Sequence, residues 1–371
     1  MIRLSSIIET FEADFLAQYQ DSILPGHAVA LAAMKRCRTL LSPKLMAQCG
    51  ECDEQVFVPH SCGHRHCPHC QHHESQQWLE RQLKQQVPGD YFLLTFTLPA
   101  ELRALAWQHQ RRLYAWMIQC SWETVHTFSR NDPQLQGTPG AVAVLHTHSR
   151  RLEYHPHVHL AMPAAAIDGD QKRWRTKQGR NQRGQGYLFN HKALAKVFRA
   201  KLLAAITGEG LELPASHPRK WVVDCKWVGT GEKALVYLGR YLYRGVIQEK
   251  DIVACANGQV TFRYQNAKTK RLEYRTVPGA TFLWLILQHV LPKGFRRARN
   301  FGFLHPNRKR LIQLLHYLLK FDPSRALAWV RKRPPLTCPC CGAIMKIVRT
   351  RIPPQSPHPT PPEAMAGALV M

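Results

Sequence analysis

The sequence predicts a mixed α and β protein: an α/β sandwich around one central sheet, preceded by a small cysteine-rich module. Two patterns carry that expectation. Short apolar segments at 91–98, 141–148, 157–162 and 221–228 alternate with longer stretches of helical spacing, which points to strands and helices layered on one sheet. Cysteines and histidines crowd into residues 49–70, mostly at Cys-x-x-Cys spacing. A chain of 371 residues with 45% hydrophobic content is long and apolar enough for two or three domains and a sizeable core.

Taken in order, residues 1 to about 45 read as helical, with Ile7, Ile8, Phe11, Phe15 and Leu16 forming a packing face. The cysteine cluster follows, then a polar helix over Ser75 to Gln86 and a boundary at Val87-Pro88-Gly89-Asp90. A strand over Tyr91 to Leu98 opens the second part. A helix over Ala100 to Phe128, strands at 141–148 and 157–162, a helix at 191–206, a strand at 221–228 and a helix from Glu232 to Tyr243 continue it. Between them, Asp168 to Gly186 is polar, basic and glycine-containing, the composition of a loop that orders on binding. The third part carries a hairpin, GQVTFRYQ and RLEYRTV around Asn266 to Lys270, a helix at 281–291 and a basic segment. From Pro353 the chain is Pro-rich and reads as disordered. The expected domains are 1–88, 89–250, 251–335 and a Cys-containing, Pro-rich tail, 336–371.

The charge is +26, from 51 Lys and Arg against 25 Asp and Glu, which favours a polyanion partner, nucleic acid before anionic membrane. The longest apolar run, Phe282 to Leu291, is interrupted by Gln288 and His289 and too short to span a bilayer. The first residues hold acidic groups and no cleavage signature, so a cytoplasmic location is expected, with no membrane partner. In a reducing compartment twelve cysteines favour metal over a disulfide framework.

Three constellations carry chemistry. In Tyr154-His155-Pro156-His157-Val158-His159 the strand period places His157 and His159 on one face, a preformed half of a metal site. The upstream strand places His146 and His148 on one face, and either could complete the site if the strands are neighbours. Tyr237 and Tyr241 stand four apart on one helix and so share a face, flanked by Arg240 and Arg244, which could hold phosphates. A phenol is a weak nucleophile at neutral pH and needs a bound cation to polarise its target. Cys49, Cys52, Cys67 and Cys70 have the spacing of one tetrahedral zinc site, with Cys62 and His66 as alternates or a second site. Cys338 and Cys341 form one knuckle without a visible partner pair. Lys293, Arg296, Arg297 and Arg299, interleaved with Phe295, Phe301 and Phe303, suit a single strand through phosphate contacts and base stacking, and Lys172, Arg173, Arg175, Lys177, Arg180 and Arg183 could add more.

HPHVH followed downstream by YLGRY resembles the HUH superfamily of single-strand endonucleases. The ordered segments AVLHTHSRRLEYHPHVHLAMP, KALVYLGRYLYR, VTFRYQN, LQHVLPKGFRRARNFGFL and HSCGHRHCPHCQ narrow this. Over roughly residues 25 to 345 the chain is similar to the rolling-circle insertion-sequence transposases of the insertion-sequence-ninety-one type. The resemblance implies an α+β fold, an HUH endonuclease-like central antiparallel sheet flanked by helices, plus a small N-terminal transposase zinc-binding domain holding Zn²⁺. It implies Mg²⁺ or Mn²⁺ on His157, His159 and a third side chain, for which His146 matches the family's Leu-His-Thr. Tyr237 or Tyr241 would attack a DNA phosphate, giving a 5′-phosphotyrosine and a free 3′-hydroxyl, and two tyrosines would allow two successive strand transfers. Single-stranded transposon ends and target DNA would be the partners, in a bacterial cytoplasm and on the nucleoid. The chain departs from the family at His148-Ser149-Arg150, where relatives often carry an aromatic residue followed by Gly-Gln. Two other readings fit the same motifs: a replication initiator or relaxase of the same superfamily, and a non-catalytic zinc DNA-binding protein.

Overall fold

The computed structural model describes residues 2–169, 173–178, 188–243, 245–266, 268–329 and 334–353. Its helices are α1 (Leu4–Tyr19), α2 (Pro25–Arg36), α3 (His72–Lys84), α4 (Arg103–Gln108), α5 (Gln110–Asn131), α6 (His191–Gly208), α7 (Glu232–Tyr243), α8 (Gly279–Leu287) and α9 (Lys309–Leu318). Its strands are β1 (Lys44–Cys49), β2 (Gln55–Pro59), β3 (Tyr91–Thr97), β4 (Thr138–His148), β5 (Tyr154–Pro163), β6 (Ala165–Asp168), β7 (Arg173–Thr176), β8 (Val223–Trp227), β9 (Ile252–Ala256), β10 (Gln259–Gln265), β11 (Leu272–Pro278), β12 (Ala298–Gly302) and β13 (Met345–Ile352). The chain divides into two compact units, each built from two separated segments: residues 1–35 with 63–333, and residues 36–62 with 334–371.

The first unit holds a seven-stranded sheet in the order β7-β6-β4-β5-β3-β8, with β12 alongside β4. Every pairing in it is antiparallel. The alternation of strands and helices therefore does not produce a parallel sheet; the fold is α+β, a central antiparallel sheet flanked by helices. Strand period two divides its side chains cleanly. Phe92, Leu94, Phe96, Ala141, Ala143, Leu145, Val158, Leu160 and Met162 face one core with Leu113 and Met117 of α5 and Phe198 and Leu202 of α6. Tyr91, Val142, Val144 and Ala161 face the other, with Trp78 and Leu79 of α3 and Leu235, Leu238 and Leu242 of α7. Residues 146, 157 and 159 continue the α7-facing set by parity.

Two glycines let α7 lie close. Gly231, at φ 100° before its first turn, would place a Cβ 2.6 Å from the Tyr91 ring. A Cβ on Gly239 would come within 3.2 Å of the Trp78 ring of α3. Only hydrogen fits at the first, and the second leaves little room for anything larger.

A second sheet of the same unit, β11-β10-β9, contains the expected hairpin, Gln259 opposite Pro278 through Gln265 opposite Leu272. Other expectations shift. The helical stretch expected over residues 1 to about 45 is two helices, α1 and α2, before β1. The helix over 100–128 breaks at His109 into α4 and α5. Within Asp168 to Gly186, β6 ends and β7 forms an edge strand, while Lys172, Arg180 and Arg183 lie outside the described residues.

The second unit is a three-stranded antiparallel sheet, β13-β1-β2, with Ala47, Cys49, Cys338 and Met345 packed together. The expected tail from 336 thus contains a strand: β13 pairs with β1, Cys49 opposite Met345 and Ala47 opposite Ile347. Residues 354–371 lie outside the described part. Among the described residues no helix is long and apolar enough to cross a membrane.

Candidate active site and metal centres

Strand register builds the histidine centre. His146 of β4 stands opposite His157 of β5, and the next partner on the α7-facing parity, Val144, stands opposite His159. The ring centroids lie 4.5 Å (His146–His159), 4.9 Å (His157–His159) and 5.2 Å (His146–His157) apart. One ligand nitrogen from each falls within 4.8 Å of the others. A register irregularity separates His146 from His148, which pairs with Tyr154 and lies 5.4 Å from the His289 ring instead. Of the two candidates for third ligand, His146 is the one whose ligand atom lies within 4.8 Å of those of His157 and His159.

The electrostatics suit a cation. His146 and His159 are 4% and 7% exposed. Burial holds both imidazoles well below their ordinary pKa, and burial lowers His157 to about 4. All three are therefore neutral at pH 7, the ligand form. The Nδ1–H of His157 donates to the His155 carbonyl at 2.7 Å, which places its lone pair on Nε2. Nδ1 of His159 is hydrogen-bonded to the Thr95 hydroxyl of β3 at 3.0 Å. Such partners orient ligating imidazoles. Thr95 was not legible in the sequence; it stands opposite His159 only through the β3–β5 register.

Tyr237 reaches this centre. Its ring centroid lies 5.7 Å from that of His159 and 6.5 Å from that of His146. It is half-buried and lines a cleft of about 740 Å³ with the three histidines. The backbone of Tyr241 belongs to α7, but its side chain and all of Arg244 lie outside the described residues. Arg240 is exposed and lines the cleft, together with Arg150, Lys250 and Arg263, none of which the motifs singled out. Arg263 is held by Asp251 at 3.0 Å. The floor is neutral imidazole and the rim is cationic, an arrangement suited to a phosphodiester beside a metal ion.

The basic segment after α8 is less open than its composition suggests. Arg297 and Arg299 flank and enter β12, where the Arg297 carbonyl accepts the Leu145 N–H at 2.8 Å and Arg299 pairs with Ala143. The Arg299 guanidinium sits 5.7 Å from the centre of the Phe295 ring. Phe295 and Phe303 are buried, and Phe301 stacks on Trp122 at 5.0 Å. Phe295 and Phe303 are core and Phe301 is partly buried with its ring face on Trp122, so the base-stacking expectation fails for the first two. Lys293 and Arg296 are exposed and available to phosphate. Arg175 and Lys177 are ion-paired with Asp168 and Asp132.

The thiol expectation is also corrected. Cys49 and Cys52 do not group with Cys67 and Cys70; their sulfurs gather with those of Cys338 and Cys341, all four within 4.8 Å. The Cys49–Cys341 and Cys52–Cys338 Sγ distances are 3.4 and 3.5 Å, too long for disulfides. The Glu51 backbone N–H, at 3.4 Å, draws the Cys49 thiol down to about 7. Of the other candidates, Cys67 and Cys70 are buried in the first unit, in a turn where the Cys70 N–H donates to the Cys67 carbonyl. His66 is buried in the same unit and its Nε2 accepts the Leu291 N–H at 3.2 Å. Cys62 is half-buried. The isolated Cys120 packs in the main core, where burial pushes its thiol up to about 12.

Comparisons with known proteins identify the family of the chain. A family described as putative transposase matches residues 140–311, which contain the histidine strands and the tyrosine helix, and a transposase zinc-binding domain matches residues 7–98. The chain is 30% identical over 322 residues to the putative transposase y4qJ of Sinorhizobium fredii, covering 79% of each chain. It is 28% identical over 286 residues to the transposase for insertion sequence element IS801 of Pseudomonas savastanoi pv. phaseolicola, covering 73% of this chain and 68% of that one. Among solved structures it aligns with the conjugative relaxase TrwC in complex with oriT DNA at a TM-score of 0.25 and 11% identity, over 62% of this chain and 73% of that chain. The chain belongs to the transposases of the insertion-sequence-ninety-one type.

Proposed function

We propose that this transposase cuts and rejoins single-stranded DNA through a 5′-phosphotyrosine on Tyr237, as a step of rolling-circle transposition. The observation that carries the reading is the placement of the Tyr237 ring 5.7 Å from that of His159, in one cleft with three neutral imidazoles. The Tyr237 Oη attacks the scissile phosphorus and gives up its proton to solvent. The P–O3′ bond breaks, the 5′-phosphate stays on the tyrosine, and the departing 3′-oxygen takes a proton and leaves as a free hydroxyl. Attack by a 3′-hydroxyl on the phosphotyrosine reverses the exchange, and bond energy is conserved without a nucleotide cofactor. Mg²⁺ or Mn²⁺, held by His146, His157 and His159, would supply the positive charge that polarises the phosphate.

The remaining residues position the strand. Arg150, Arg240 and Lys250 line the cleft and hold backbone phosphates, and Lys293 and Arg296, both exposed, add further cationic contacts. Tyr241, one turn along α7, would accept the second strand in a two-tyrosine exchange. The test is a covalent-adduct assay with single-stranded oligonucleotides carrying element-end sequences. A Mn²⁺-dependent, EDTA-sensitive adduct mapping to Tyr237 is expected. A Tyr237→Phe/Tyr241→Phe chain that still forms the full adduct would overturn the reading.

A further inference from the structure

The second unit contains two copies of one local structure, drawn from segments nearly 290 residues apart. In the first, the Cys49 N–H donates to the Glu54 carbonyl at 2.9 Å, closing a turn in which Asp53 has φ 55°. In the second, the Cys338 N–H donates to the Ala343 carbonyl at 2.8 Å, closing a turn in which Gly342 has φ 75°. Each turn runs from the first cysteine to the fifth residue after it, with the left-handed residue at the fourth. In each, the first cysteine is buried and the second exposed. Each turn is framed by antiparallel pairing: Gln48 with Gln55 around the first, Thr337 with Ile344 around the second. The first sulfur of each knuckle stands next to the second sulfur of the other.

We infer that Cys49, Cys52, Cys338 and Cys341 form a structural tetrathiolate zinc site, in which the C-terminal knuckle completes the N-terminal one. Four thiolates at the corners of a tetrahedron with Zn–S of about 2.3 Å stand about 3.8 Å apart. The Sγ separations of 3.4 and 3.5 Å need only a small outward adjustment to accept the ion. Four sulfurs without an open position make a closed site, which serves structure and not catalysis. The matched zinc-binding domain ends at residue 98, so half of this ligand set lies outside it. Zinc here ties the end of β1 to the start of β13 and fixes the register in which Cys49 faces Met345.

The test is zinc stoichiometry of the full chain by plasma mass spectrometry, for C49S/C52S, C338S/C341S and the fourfold variant. The expected result is non-additive: each pair variant loses one zinc, and the fourfold variant loses no more than one. Loss of two ions in the fourfold variant, or no loss in C338S/C341S, overturns the assignment. If the variants prove insoluble, the wild-type chain decides. Alkylation with N-ethylmaleimide, mapped by mass, should leave all four cysteines protected until a zinc chelator is added, then label them together. Labelling of Cys338 and Cys341 before chelation, with Cys49 and Cys52 still protected, overturns it. Hydrogen exchange over Met345–Ile352 should rise on chelation, which an ion held elsewhere would not cause.

Discussion

The histidine cluster of the first unit and the thiol cluster of the second are both built from half-sites of two residues in a short motif, yet they are completed in opposite ways. His157 and His159 find their third partner, His146, on the adjacent strand, eleven residues upstream and across one register position. Cys49 and Cys52 find theirs 286 residues or more away, on a knuckle that follows all the rest of the chain. The imidazoles are buried (His146, His159) or half-buried (His157), neutral and open to a cleft with a phenol at its wall; the thiols alternate between buried and exposed and surround one another. A half-site reveals its chemistry from spacing alone. What it does depends on whether its complement leaves a position open.

Substitutions can break or sharpen this contrast. The largest effect is expected from Tyr237→Phe, which should remove the covalent adduct while leaving oligonucleotide binding near wild type in a gel-shift assay. An undiminished adduct would separate the histidine centre from the tyrosine helix and leave it as closed in function as the thiol centre. Next, His146→Ala should weaken Mn²⁺ binding, read by calorimetry, by at least the roughly 10–100-fold typical of losing a ligand's supporting partner. His148→Ala should change it far less; equal losses would mean that the nearer imidazole is not the selected ligand. Thr95→Val should cost about 10-fold in Mn²⁺ affinity, because the His159 ring loses its orienting hydrogen bond while its donor atoms stay.

A separate effect, on folding and not on the metal centre, concerns acid stability of the imidazole-rich unit. Burial lowers His27 to about 4. Below pH 6.5 the unfolded chain takes up a proton there that the native chain refuses until about pH 4. The stabilising contribution is therefore complete above about 6.5 and declines as pH falls through the window from 6.5 to 4. The slope is about 1.4 kcal/mol per pH unit for one such group, on the order of 3 kcal/mol across the window. Urea melts at pH 7 and pH 5 should show the decline, and His27→Gln should flatten it by one proton's worth.

Much of the architecture was legible. The four strand segments and the tyrosine helix fall close to their expected places, because period two and period 3.6 are properties of adjacent residues. The β10–β11 turn was equally visible from its polar tip. The sheet's antiparallel order was not carried by periodicity, since β4, β5 and β3 lie side by side whichever way their connections run; it came with the family resemblance. The aromatic residues between the arginines of 295–303 misled for a related reason. Composition cannot distinguish a stacking platform from rings that turn inward: Phe295 and Phe303 are buried and Phe301 packs partly buried on Trp122.

By itself the sequence determined which side chains are candidates for chemistry: two histidines one strand-period apart, tyrosines one helical turn apart, and Cys-x-x-Cys turns. Those facts are local, since backbone geometry repeats over two to four residues. Only the tertiary structure decided which half-sites meet. Strand register brings His146 to His157 and His159, and the pairing of β13 with β1 brings Cys338 and Cys341 to Cys49 and Cys52. Neighbours across a sheet are set by hydrogen bonding between segments, which no spacing along the chain encodes.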